Sequence, residues 1–304
     1  MIDGTPAKRC LMAKMKSGGK EDGRAQKEMR EITVDFDFTP NALSSILYKQ
    51  GETMVLATVT ADKGLPRWFP RNATRGWIHA EYSLLPGSTN TRFRRERNGA
   101  KGRTHEIERL VARSLRGAVD LEALGPISMT VDCEILNADG GTRCASITAG
   151  NIALRLAIRR LIASGRCLPI NLRGSEQDLK DGWTPPDLTP EERAKHEAAV
   201  MANDVAALSV GMVDGKVRVD LDYVLDSNAD VDMNVVMTSE GSFVEVQGTG
   251  EEATYTRDEL DSLLNAAVEG IEKLHQLQTS LGLFLSHPRW CYRLDVSSHR
   301  MRFP

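Results

Sequence analysis

The chain has 304 residues, 41% hydrophobic and 27% charged, an ordinary globular mix with room for one large α/β core or two small ones. A formal net charge of −3 excludes a global basic field, so any nucleic-acid surface has to be local. Five cysteines (Cys10, Cys133, Cys144, Cys167, Cys291) form no CxxC pair and no metal spacing, which points to a reducing cytoplasm, and no segment approaches the ~20 apolar residues of a membrane span.

Residues 1–23 are polar, lack a continuous apolar stretch and read as a flexible lead-in. Strand patterns follow at Ile32–Phe38, Ser44–Tyr48, Thr53–Thr60 and Trp77–Tyr82, with a turn at Gly51-Glu52. An arginine-rich loop runs from Leu84 to Gly102. Thr104 is then the expected cap of a helix with Glu106 in its first turn and an apolar face of Ile107, Leu110, Val111, Leu115, Ala118 and Val119, stopped by Gly125-Pro126. Alternation from Ile127 to Leu136 predicts a strand. Helical spacing from Ala145 to Ser164, ended by Gly165, predicts a long helix. Arg173–Asn203 breaks the pattern and reads as a surface insertion, about 173–203, with a short helix signal at Thr189-Pro190-Glu191-Glu192. Strands resume at Val205–Met212 and Lys216–Tyr223, joined by the hairpin signal Asp214-Gly215, and then at Asn234–Thr238 and Ser242–Gln247. Thr256-Arg257-Asp258-Glu259 is a capping box that opens a last helix to about Gln278, and 279–304 has no clear period. Strands, a loop and a long helix occur twice, which fits an α+β fold of mixed sheets with packed helices.

Three segments carry the chemistry. Asp139-Gly140-Gly141-Thr142-Arg143 links a strand to a helix. Its glycines permit a tight turn and close backbone approach. The helix start offers unpaired N–H groups, and Thr142 and Arg143 add a hydroxyl and a guanidinium, which together suit a small anion such as phosphate. From Arg92 to Arg116 nine basic residues stand against three acidic ones, with Phe93 among them, a pattern that attracts a phosphodiester backbone and can stack on a base. Arg103 falls just before the expected helix, where a cation also suits phosphate. Asp220, Asp222, Asp226, Asp230 and Asp232 form an acidic stretch: Asp220 and Asp222 would share one strand face, and Asp226 and Asp232 would bracket a loop. Such carboxylates can hold Mg²⁺, or one can keep a raised pKa and act as a general acid. The six histidines have no metal spacing.

These motifs, in the same order, resemble those of the bacterial ribonuclease PH family of phosphorolytic exoribonucleases. The matching stretches are Gly76-Trp77-Ile78 through Glu81-Tyr82, Gly102-Arg103-Thr104 with Glu106-Ile107, Ala138 to Arg143, Asp226 to Asn234, and Glu245-Val246-Gln247-Gly248-Thr249. The resemblance implies the ribosomal protein S5 domain 2-like fold over residues 24–278. It implies phosphorolysis of RNA 3′ ends, tRNA precursors above all, with inorganic phosphate as co-substrate, release of nucleoside 5′-diphosphates, and nucleotide addition in reverse. By the same resemblance Arg103, Gly141, Thr142 and Arg143 bind phosphate, and Asp226 and Asp232 are the catalytic pair and Mg²⁺ ligands. Arg92 and Arg95 grip tRNA, and the chain forms a homohexamer, a trimer of dimers. Gly87 departs from the family pattern, where another RNA-binding arginine is usual, and the divergent tail 279–304 does not match. The competing readings are a catalytically silent RNA-binding ring subunit, a hydrolytic two-metal nuclease and a non-catalytic binding protein on the same fold. Phosphate dependence separates the hydrolase, and turnover separates the silent subunit.

Overall fold

The computed structural model describes residues 24–62, 64–70, 72–174, 182–250, 253–284, 291–295 and 300–302, with side chains described up to residue 282. The expected lead-in therefore lies outside the described residues. Among the described residues two sheets organise the chain. The first has seven strands in the order β11-β10-β1-β2-β3-β5-β4. These are β1 (Ile32–Phe36), β2 (Ser44–Gln50), β3 (Thr53–Ala61), β4 (Trp77–Leu84), β5 (Ser128–Asn137), β10 (Cys291–Asp295) and β11 (Arg300–Arg302). Its pairs are antiparallel except β4–β5, which is parallel. The second is antiparallel, in the order β7-β6-β8-β9: β6 (Val205–Val213), β7 (Lys216–Val219), β8 (Val231–Thr238) and β9 (Phe243–Gly250).

Helix α3 (Thr142–Ala163) lies between the sheets, packing on β2 and β3 from one side and β6 from the other. Every residue from Cys144 to Leu154 is buried, so the helix has no polar face over that length. Small side chains make this possible. At Gly150 an added Cβ would stand 3.3 Å from Leu115 and 3.4 Å from Val131. Its end has the geometry that the sequence signalled: Gly165 has φ +69°, and the amides of Gly165 and Arg166 bond back to Ile162 and Leu161.

Other boundaries moved. Helix α1 (Gly102–Arg116) begins two residues before the expected cap, flanked by Lys101, and has no acidic residue in its first turn. The reason is that the Lys101 carbonyl already accepts the His105 amide, so Thr104 is inside the helix and Glu106 is free to face elsewhere. Ala118 and Val119 are buried as expected but follow the helix end, and Asp120 caps a separate short helix, α2 (Leu121–Leu124). Between the sheets' strands, a 3-10 turn (Ile170–Leu172) leads to α4 (Pro190–Val200), which has both capping-box bonds at Thr189. It packs on α3 and α2, burying His196 and Val200. Arg155 and Arg159 of α3 pair with its Glu197.

The hairpin turn places Asp214 at φ +50° and Gly215 at φ +69°, the pair of left-handed residues that a two-residue turn needs. The strand after it is shorter than predicted. It ends at Val219, and Asp222 instead caps a short helix, α5 (Tyr223–Asn228), by accepting the Leu225 amide. Asp220 and Asp222 therefore do not share a strand face. Helix α6 (Arg257–Phe284) opens with the Thr256–Glu259 capping box, extends past Gln278 and packs on β6 and β7. Part of the patternless tail joins the first sheet: β10 pairs with β1, and β11 with β10.

Asp220 is 1% exposed and pairs with the buried Arg30, which precedes β1. The Arg30 guanidinium and amide hold its carboxyl below the ordinary value of 3.8, although burial alone opposes this. A depressed folded pKa contributes stability at neutral pH that is lost as pH falls below ~4 through the folded value. Asp220→Asn leaves the Arg30 charge buried without its main partner, and the expected loss is ~3–5 kcal/mol. Urea unfolding at pH 7 and pH 3 checks this: the gap between wild type and variant is wide at pH 7 and narrows at pH 3. A gap that is equal at both pH values contradicts it.

Candidate active site

The Gly-rich run is folded as a phosphate-binding turn would be. Gly140 and Gly141 both have positive φ, +72° and +63°, and Gly141 is the residue before α3, its carbonyl accepting the Ala145 amide. The helix thus starts at Thr142, three residues earlier than its apolar pattern suggested. Among the described residues the amides of Thr142, Arg143 and Cys144 have no hydrogen-bond partner, so the positive end of a 22-residue helix is open.

The turn is held from two sides. Thr53 Oγ1 accepts the Asp139 amide at 3.1 Å and donates to the Gly140 carbonyl at 2.8 Å. Arg30 donates to the Asp139 carbonyl while its other nitrogens hold Asp220. The Tyr223 amide reaches Asp139 Oδ1 at 3.3 Å. A Cβ at Gly140 would stand 2.4 Å from the Leu221 carbonyl oxygen, so this position needs a glycine for space as well as for φ.

Thr142 Oγ1 is 3.0 Å from the hydroxyl of Tyr82 on β4. Burial pushes the Tyr82 phenol above its ordinary pKa, opposed by the Thr142 bond and then by the charges of Arg103 and Arg143. Both arginines are therefore within electrostatic reach of one phenol. Arg103, in the first turn of α1, is exposed and makes no ion pair among the described residues. Arg143 is engaged: its Nη1 bonds Glu106 at 2.9 Å and Gln247 at 3.3 Å.

The acidic residues separate into two roles. Asp220 is the buried anchor described above. Asp226 is exposed in the first turn of α5, and Asp232 is half-buried on β8, inside the strand, opposite Gly211 and Thr249. The expectation that Asp226 and Asp232 bracket a loop between strands is corrected: a helix carries the first and a strand the second. Both belong to elements that meet the start of α3, β8 through Asn234 and α5 through the Tyr223 amide on Asp139. Cys144 there donates to Asn234, two residues from Asp232, at 3.1 Å. Burial pushes the Cys144 thiol up, the Asp220 charge adds to this, Arg143 opposes it, and Asp226 adds again. Cys133, Cys144 and Cys167 are free and buried.

Arg92 and Arg95 are exposed on the loop between β4 and α1. The loop's base is fixed to the glycine turn, since the Ala138 amide bonds the carbonyl of buried Ser88 at 2.8 Å, and the Phe93 amide bonds Pro86. Sequence reasoning singled out neither Arg30 nor the supporting roles of Tyr82, Glu106 and Gln247. Tyr82 and Gln247 stood inside motifs without a task, and Glu106 was read only as an acidic residue in the first turn of a helix, which in the structure starts earlier. Arg30 gave no signal, because its partner is 190 residues away.

Two sheets enclosing a central helix with an open start, and carboxylates on the elements beside it, place the chain among 3′ exoribonucleases. The chain belongs to the 3′ exoribonuclease family: domain 1 of the family model matches residues 28–159 and domain 2 matches 204–270. Within it, the chain is one of the ribonuclease PH group that the motifs resemble. It is 45% identical to the ribonuclease PH of Rhodopirellula baltica over 259 residues, 85% of this chain and 95% of that protein. It is 43% identical to that of Corynebacterium glutamicum over 275 residues, 90% and 100% of the two. Among solved structures, an Archaeoglobus fulgidus exosome with RNA bound to its active site matches with TM-score 0.63 at 23% identity, over 84% of this chain and 91% of that one. Rice Rrp46 matches with TM-score 0.62 at 15% identity, over 86% and 98%. The expected α+β fold is thereby borne out.

Gly140→Ala tests the turn. A left-handed alanine costs ~1–2 kcal/mol, and contact with the Leu221 carbonyl adds to it. The expected result is a lower Tm together with faster exchange of the hydrogen-bonded amides at the turn, those of Asp139 and Ala145. An unchanged Tm and exchange pattern contradicts the packing described here.

Proposed function

We propose that this protein is a phosphorolytic 3′-to-5′ exoribonuclease that trims the 3′ ends of tRNA precursors. Inorganic phosphate attacks the terminal phosphodiester, a nucleoside 5′-diphosphate leaves, and the shortened RNA keeps its 3′ hydroxyl. In reverse the enzyme adds nucleotides. The observation that carries this reading is the open helix start at Gly141, with Thr142, Arg143 and Arg103 around it. A water-using nuclease has no need of such a cradle, whereas a phosphate nucleophile has to be held by several fixed donors for in-line attack.

In this reading Gly141, Thr142, Arg143 and Arg103 hold the attacking phosphate. The amides and helix dipole bind its charge, the Thr142 hydroxyl donates to it, and the guanidiniums fix its orientation. Asp226 and Asp232 supply the ion site and the proton for the departing 3′ oxygen. Their donor set is oxygen only. Among the described residues no group of three or more His, Cys, Asp or Glu side chains could cage a metal. Oxygen donors suit Mg²⁺, which takes one or two carboxylates and completes its shell with water and substrate phosphate. When bound, Mg²⁺ offsets charge on the phosphoryl oxygens.

Arg92 and Arg95 grip the tRNA backbone from their exposed loop, and with Gly87 beside them the grip rests on those two. A homohexameric ring, a trimer of dimers, gathers such loops from several subunits around one acceptor stem. No helix among the described residues is long and apolar enough to cross a membrane. The reading places the enzyme in the cytoplasm, with its RNA.

The decisive experiment incubates the protein with Mg²⁺ and a tRNA carrying extra 3′ nucleotides, with and without inorganic phosphate. Nucleoside diphosphates that appear only with phosphate are the expected result. Nucleoside monophosphates without phosphate overturn the mechanism, and bound RNA with no product makes the protein a silent ring subunit. Arg103→Ala is expected to cut phosphorolysis at least a hundredfold (~2.7 kcal/mol, the scale of a lost charge-assisted contact) while RNA binding survives. Equal activity in variant and wild type removes Arg103 from the phosphate site. Arg92→Ala with Arg95→Ala is expected to weaken tRNA binding and to lower the slope of log K against log salt by about 1 to 2. An unchanged slope argues against that loop as the RNA contact.

A further inference from the structure

We infer that Glu106 is a positioning residue for the phosphate nucleophile: it holds Arg143 by one nitrogen so that the other donors of the guanidinium face the anion. This deepens the phosphate-site reading above and rests on it.

The geometry is specific. Both carboxylate oxygens of Glu106 lie 2.9 Å from Nη1 of Arg143. The Gln247 side-chain oxygen lies 3.3 Å from the same nitrogen. Nε and Nη2 have no partner among the described residues. A guanidinium has five N–H donors in a rigid plane, so fixing one nitrogen fixes the direction of the others. The clamp is itself braced. The Gln247 amide nitrogen donates to Glu106 at 3.3 Å and to Glu245 at 3.1 Å, and Glu245 pairs with Arg113. Glu106 and Arg113 are on α1, Arg143 opens α3, and Glu245 and Gln247 are on β9. Three elements that share no sequence neighbourhood thus meet at one side chain.

A carboxylate beside an anion site has an opposing effect, because its charge repels phosphate. Magnitudes decide which dominates. The Glu106 side chain is 41% exposed and that of Arg143 25%, so the repulsion acts through water and is screened. The hydrogen bonds to Nη1 are direct and charge-assisted. A ligand that has to order a long side chain loses affinity in doing so, and here the network has already ordered it. Positioning outweighs repulsion.

The test measures phosphate dependence at saturating RNA for wild type, Glu106→Ala, Glu106→Gln, Arg143→Ala and the Glu106→Ala/Arg143→Ala pair, with thermal unfolding as a check on folding. Glu106→Ala is expected to raise the KM for phosphate about tenfold, the equivalent of ~1.4 kcal/mol, with kcat within about twofold and Tm little changed. Glu106→Gln keeps an acceptor for Nη1 and recovers most of that loss. The double variant is no worse than Arg143→Ala, since Glu106 acts through Arg143. A phosphate KM that is unchanged or lower in Glu106→Ala, while Arg143→Ala raises it, overturns the positioning role and leaves the phosphate site standing. A Gln variant as defective as the Ala variant overturns the hydrogen-bond account. If Arg143→Ala itself leaves the KM unchanged, the assignment of the phosphate site fails first.

Discussion

The buried pair of Arg30 and Asp220 is the interaction on which the site depends. One guanidinium joins three segments that are far apart in sequence: the approach to β1, the glycine turn at Asp139 and the acidic segment after β7. Burial lowers the Arg30 pKa, and the charges of Asp220, Asp139 and Asp222 more than reverse this. Gln50 and Arg24 add further contacts to Asp220 and Asp222. Such a pair is not an efficient source of stability, because desolvating two charges is expensive. What it secures is register. The glycine turn and the helix that carries Asp226 are held at one mutual position, with the Leu221 carbonyl packed against Gly140.

Around that anchor the donors and carboxylates are divided between elements by what each can do. Backbone amides come from a helix start, where they are left over from the helix ladder. Arg103 comes from the first turn of a second helix and stays exposed. Asp232 comes from a strand, whose two-sided geometry aims it away from the core residues Val231 and Met233 on either side. The result is a positive half built on helix termini and a negative half shared between the short helix α5 and strand β8 of the second sheet. The network of Glu106, Arg143 and Gln247 crosses between them.

Much of this was legible in the sequence, for physical reasons. The strand read at Thr53–Thr60 and the helix read at Ala145–Ser164 declare themselves, the first by the alternation of a half-buried strand and the second by its long apolar run ended by a glycine. Asp214-Gly215 and Thr256–Glu259 declare themselves because few residue types fit those turns and caps. The acidic segment misled because Asp220 and Asp222 alternate as strand residues do, while the chain there turns through φ +55° at Asp220 to bury it and then starts α5. Thr104 misled because a good capping residue stood two positions inside a helix that starts without a side-chain cap. Arg30 and the Glu106 clamp were invisible for a different reason. Contacts across 190 and 37 residues leave no local pattern, and only the fold brings them together.

Helix α3 has a consequence beyond its place in the core. A loop that binds a ligand is ordinarily free to move, and part of the binding energy is then used to order it. This turn continues into a helix that neither sheet can release without opening the interior, so the conformational entropy was surrendered when the chain folded. The preorganised turn is also exposed to distant change. An added Cβ at Gly150, in the buried length of the helix, would crowd Leu115 and Val131, and whatever part of that strain the helix takes up is carried along its axis toward Thr142 and Arg143. Selection for turnover therefore reaches deep into the core of this protein, and sites that never touch RNA are constrained by the geometry of its chemistry.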